Sequence, residues 1–68
     1  MKAAEIRKLS TEEIEARLDE ARHELMNLRF QKVTGELVDT SALRRTRRLI
    51  ARYLTILRER ELEEEGNE

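Results

Sequence analysis

The chain has no cysteine, no proline and no tryptophan, and only two glycines and one histidine among its 68 residues. Without cysteine there is no disulfide framework and no thiolate metal site. A lone histidine cannot build a zinc centre of the common kinds. The aromatic residues are Phe30 and Tyr53 alone, too few for the stacking platform on which single-strand binders hold bases. No apolar run approaches membrane-spanning length, and the first ten residues lack the continuous apolar core of a signal peptide. An intracellular, cytoplasmic protein is expected. So short a chain makes one domain at most and buries a small share of its surface. With disulfides and metals set aside, partner binding or oligomerisation is the remaining source of added stability. The missing prolines, 43% charged residues and abundant Leu, Glu, Arg and Ala favour long helices.

A further absence is local. Residues 40–58 hold six arginines (Arg44, Arg45, Arg47, Arg48, Arg52 and Arg58) and no acid, in a chain whose formal charge is −1. By segment the charge is zero over residues 1–34, −2 over 35–39, +6 over 40–58 and −5 over 59–68. At about 100° per residue the arginines share one broad helical face. Leu43, Leu49, Ile50, Tyr53, Leu54, Ile56 and Leu57 centre on the opposite one. Arginine pairs bidentately with phosphate oxygens and keeps its charge at any physiological pH. A solvated helix face normally mixes signs to form i,i+4 pairs, whereas these arginines repel one another until a polyanion relieves them. The pattern points to nucleic acid, RNA in particular. An anionic membrane surface fits less well, given no tryptophan and a first helix to pack against.

The clearest local signal is Leu9-Ser10-Thr11-Glu12-Glu13-Ile14. Ser10 and Glu13 have the spacing of a capping box, and Leu9 and Ile14 that of a hydrophobic staple. A first long helix is therefore expected over about 11–34, its seam Ile14, Leu18, Ala21, Leu25 and Leu28 at coiled-coil-like 4-3-4-3 spacing. Gly35 should end it in the left-handed conformation. Residues 35–39 make a loop, with Asp39, Thr40 or Ser41 available to cap a second helix over about 40–61. Its seam reads Leu43, Thr46, Ile50, Tyr53 and Leu57. So short a loop folds the two helices antiparallel, giving an all-α helical hairpin in a single domain, 1–68. The first ten residues can add a short helical turn, with Ile6 and Leu9 covering the open end. Residues 62–68 read as a frayed acidic tail.

Met26, Phe30 and Val33 do not fit the hairpin seam, lying roughly 100–160° around the first helix from it. Either Leu37 and Val38 fold back over this stripe from the loop, or it docks protein or RNA. Both readings are open on sequence. No catalytic arrangement stands out. His23-Glu24 resembles the start of a zinc-protease motif, but Asn27 stands where the second histidine belongs. His23 is most simply a solvated surface residue, and the first helix's glutamates a solvated face with pairs such as Glu13 with Arg17 and Asp19 with His23. No enzyme activity and no cofactor are expected.

At Glu24-Leu25-Met26-Asn27-Leu28-Arg29-Phe30-Gln31-Lys32-Val33-Thr34-Gly35 the chain resembles bacterial large-subunit ribosomal protein twenty-nine. The likeness continues through Ser41-Ala42-Leu43-Arg44-Arg45-Thr46-Arg47-Arg48-Leu49-Ile50-Ala51-Arg52 to Leu57-Arg58-Glu59-Arg60, and includes Met1-Lys2, Glu5-Ile6-Arg7 and Leu9-Ser10. It spans nearly everything except the acidic tail. The resemblance implies a long helical hairpin bound to large-subunit rRNA at the rim of the nascent-chain exit tunnel, beside large-subunit ribosomal protein twenty-three, where chaperones and targeting factors dock. Asn27, Arg29, Phe30, Gln31, Lys32, Thr34 and Gly35 match the family's first-helix motif, and Ser41, Arg44, Arg45, Arg47, Arg48, Ala51 and Arg52 its second. The RNA-contacting set expected from motif and charge together is Arg29, Gln31, Lys32, Thr34, Ser41, Arg44, Arg45, Arg47, Arg48 and Arg52. Asp39-Thr40 departs from the family's usual Asn-Pro, and the tail is more acidic than the family leads one to expect.

The leading expectation is thus a structural rRNA-binding protein of the large subunit that reads duplex shape rather than base sequence. The alternative is a free-standing hairpin that dimerises into a four-helix bundle and acts as an RNA-binding adaptor, a fold its seams would serve equally well.

Overall fold

The computed structural model describes residues 1–66. Three helices follow one another: α1 (Ala3–Ile6), α2 (Thr11–Thr34) and α3 (Ser41–Gly66). The two long helices pack against each other as an antiparallel hairpin measuring 51 × 17 × 16 Å, and α1 folds back onto α3.

Each boundary has a local cause. Ser10 is extended (φ −69°, ψ 159°), and its Oγ accepts a hydrogen bond from Glu13 N–H at 3.2 Å. That satisfies one of the donors a helix start leaves without a partner. Gly35 ends α2 at φ 81°, a conformation that disfavours a Cβ. Gly35 N–H donates to Lys32 O and Glu36 N–H to Gln31 O at 2.8 Å, which together close a Schellman motif. At the start of α3 the capping residue is Asp39, whose Oδ1 accepts from Ser41 N–H at 3.0 Å.

The core is a single line of apolar side chains between α2 and α3, closed at one end by α1. Ile6 and Ile14 are fully buried, and Leu18, Ala21, Tyr53 and Ile56 pack with them. Ala3, Leu9, Leu49, Ile50 and Leu57 border the cluster. Ile56, absent from the expected second-helix seam, is more deeply buried than Leu57, which is in it. The reason is α1: Ile6 widens the apolar layer toward the side of α3 that carries Ile56. Leu25, between the α1 end and the loop, is only half-buried.

One further expectation is corrected, and one open reading is decided. α3 does not end near residue 61 but continues through residues 62–66, since leucine and glutamate are good helix formers and nothing before Gly66 stops the chain. The part of the expected frayed tail at residues 67–68 lies outside the described residues. Leu37 and Val38 do not cover the Met26–Phe30–Val33 stripe. Val38 is 97% exposed, and Met26, Phe30 and Val33 remain 66%, 67% and 85% exposed.

Candidate nucleic-acid interface

α3 turns its apolar side to α2, which fixes where its other side chains point. Taking Tyr53 as the centre of the buried side, the 3.6-residue repeat places Arg44, Arg47, Arg48 and Arg58 about 120–180° away from it. All four are exposed. Among the described residues none of them makes a side-chain hydrogen bond or ion pair. Ala51 and Thr55 lie on the same outward side, between Arg48 and Arg58, and are also exposed. Thr55 Oγ1 donates back to Ala51 O at 2.8 Å. The result is a cationic face with a shallow middle, where a partner's backbone can come close to the helix.

Arg45 and Arg52 belong to the same charge run but are held elsewhere. Arg45 Nη2 donates to Asp39 Oδ2 at 2.7 Å, and its Nη1 to Ser41 Oγ at 2.6 Å. Ser41 Oγ in turn donates to Asp39 Oδ1 at 2.6 Å. The Ser41 hydroxyl, followed by the Arg45 guanidinium, holds the Asp39 carboxyl down at a pKa of about 2. Both bonds stabilise the carboxylate form. Arg52 Nη1 donates to Met1 O at 3.1 Å, next to Tyr53 O–H, which donates to Met1 Sδ at 3.8 Å.

On α2 the expected contact residues also divide. Arg29 and Lys32 are exposed, whereas Gln31 is half-buried. The Gln31 carbonyl accepts bonds from Thr34 Oγ1, Glu36 N–H and Leu37 N–H, so Gln31 and Thr34 help close the end of α2. Arg29 and Gln31 lie on opposite flanks of the helix, roughly 160° apart, so no one flat surface reaches both. The Met26–Phe30–Val33 stripe faces away from the α2 seam, as the free arginines face away from the α3 seam. The two surfaces therefore belong to different helices of the hairpin.

Sequence reasoning misses Arg60, which organises the opposite end. It donates to Thr11 Oγ1 at 3.0 Å, Arg7 O at 3.1 Å and Leu9 O at 2.7 Å, and Arg7 pairs with Glu59 at 3.4 Å. Its sequence signals are a place at the end of the family likeness and being the single cation within residues 59–68, neither of which shows what it bonds. His23 and Asp19 pair at 3.5 Å on the open surface, as the i,i+4 spacing suggests. Among the described residues no helix is long and apolar enough to cross a membrane.

The sequence that forms this hairpin is similar to those of known proteins. A family model described as Ribosomal L29 protein matches residues 4–60. The chain belongs to the ribosomal L29 family. It is 53% identical over its whole length to the large ribosomal subunit protein uL29 of Persephonella marina, of which it covers 100%. With the protein of the same name from Thermosipho africanus it shares 58% identity over 62 residues, 91% of this chain and 94% of the other. The Staphylococcus haemolyticus protein is 53% identical over 64 residues, 94% of this chain and 93% of its own. The match to the family model spans both seams, the free arginines and Arg60, and stops where α3 turns acidic.

Proposed function

We propose that the chain is a structural constituent of the large ribosomal subunit that binds large-subunit rRNA through α3. The observation that carries this reading is the outward face of Arg44, Arg47, Arg48 and Arg58, four exposed cations with no partner among the described residues. The relatives' name, large ribosomal subunit protein, supports the assembly to which that face is assigned. The mechanism is neutralisation of closely spaced phosphates on duplex RNA, with release of their counterions and no chemical step. The family resemblance further supports a place at the rim of the nascent-chain exit tunnel, beside large-subunit ribosomal protein twenty-three. There the exposed Met26–Phe30–Val33 stripe of α2 is available to a protein neighbour or a visiting factor.

Tagged protein expressed in a bacterial host is expected to sediment with large subunits, and to leave them when Arg44, Arg47 and Arg48 are replaced by glutamine. The exposed stripe is also the surface a free-standing dimer would use. Sedimentation of the purified chain separates the two readings: a ribosomal component is monomeric alone, whereas the four-helix-bundle adaptor stays dimeric and absent from the subunit peak.

A further inference from the structure

The end of the hairpin away from the loop carries a second surface, of opposite charge. α3 runs past Arg60, the residue bonded to the turn before α2, as far as Gly66. That is about 9 Å of helix that α2 does not accompany. On this half of α3, Leu54 and Leu62 are 42% and 57% exposed. With Leu57, Arg58 and Glu61 they line an open groove along the helix. A neighbouring depression shares Leu57 and Glu61 and adds Glu15, from the first turns of α2, and Glu64. Glu15, Glu61 and Glu64 make no ion pair among the described residues. Arg60, the cation that borders the same depression, is engaged by the Arg7 and Leu9 carbonyls and the Thr11 hydroxyl.

We infer that this groove docks a basic amphipathic polypeptide segment. Its apolar side chains rest on Leu54, Leu57 and Leu62, while its lysines or arginines meet Glu15, Glu61 and Glu64. Charge complementarity selects this occupant over the others. Phosphates are repelled by the same carboxylates, so an RNA seated on the arginine face ends near Arg58. A symmetric second copy would bring three more acids against a single free cation, Arg58, and leave the acids in excess. A basic helix with apolar residues at i and i+4 suits both the apolar line and its acidic border.

The test uses the full chain and a fluorescent peptide of about 16 residues, helical, with leucines at i,i+4 spacing flanked by lysines. Saturable binding is expected in fluorescence anisotropy, weakened about tenfold by Leu62→Ser, as for removal of an apolar anchor. A similar loss is expected from Glu61→Lys with Glu64→Lys. Leu62 is exposed, so its replacement leaves the hairpin folded, and duplex-RNA affinity should not fall in either variant. Equal binding by a control peptide with serines in place of the leucines would overturn the proposal, leaving only diffuse charge attraction. So would unchanged peptide binding in Leu62→Ser. If Leu62→Ser instead weakens duplex RNA, the groove belongs to the RNA surface. If it abolishes self-association seen by sedimentation velocity and leaves peptide binding intact, the occupant is a second copy.

Discussion

Arg44 and Arg45 are adjacent in sequence, yet the fold gives them different work. Arg44 points away from the seam without a partner, while Arg45 closes a ring with Asp39 and Ser41 that starts α3. Replacing Asp39 with Asn removes the charge that holds Arg45 and should leave an unpaired cation on the flank of α3, beside the outward face. The expected outcome is tighter duplex-RNA binding with a steeper salt dependence, by up to about 0.9 units if one more duplex phosphate is engaged. The same ring makes a pH prediction. The Asp39 pKa is lowered from 3.8 to about 2, so its ring stabilises the fold fully above the higher value. That contribution is lost as pH falls from the higher value through the lower one, because over that window the unfolded chain binds a proton that the folded one excludes. Acid titration followed by circular dichroism should show a shallower stability loss between these values in Asp39→Asn than in the parent chain. Gly35 is the other residue with a conformational duty. A Cβ there would meet no neighbouring atom within 4 Å, so Gly35→Ala carries backbone strain without a clash. Its cost should be about 1–2 kcal/mol in thermal unfolding.

At the scale of elements, what is legible in the sequence is what local chemistry decides. The start of α2 is written in Leu9, Ser10 and Glu13, and its end in Gly35, because caps depend on residues within one turn. The second-helix seam is less legible. Periodicity puts Ile56 on the apolar side of α3 but off its 3-4 seam, and its depth of burial comes with α1, whose Ile6 joins the same cluster from fifty positions away. Arg60 is hidden for the same reason, since its acceptors are carbonyls at the far end of the chain. Its removal is the sharper test of how α1 is held. Arg60→Ala should cost about 1–3 kcal/mol by leaving those carbonyls short of a donor, and should speed amide exchange in residues 3–9. In the core, Leu28→Ala should cost about 2–3 kcal/mol, and Leu25→Ala less, since Leu28 is buried and Leu25 only half so. Equal costs at both would mean the middle of the hairpin is packed more tightly than the structure has it.

Over the whole molecule, charge is distributed along the rod and apolar surface across it. Free arginines occupy the outward side of α3 up to Arg58, acids the end beyond, and the Met26–Phe30–Val33 stripe an exposed side of α2 near the loop. The arginine face is readable in composition, since six arginines without an acid within residues 40–58 stand out in any helix. Which arginines are free is not, because that depends on where Asp39 and the Met1 carbonyl come to lie. The stripe's exposure likewise turns on the loop's path. The most direct measurement is the salt dependence of binding to a duplex fragment of large-subunit rRNA, comparing the parent with two variants. Replacing Arg44, Arg47 and Arg48 together by glutamine should lower the slope by about 0.9 for each duplex phosphate no longer neutralised, roughly 2–3 units in all. Arg45→Gln should leave the slope nearly unchanged. A triple variant with the parent's slope, or an Arg45 variant whose slope falls as much per arginine as the triple's, would contradict the assignment of RNA to the free outward face.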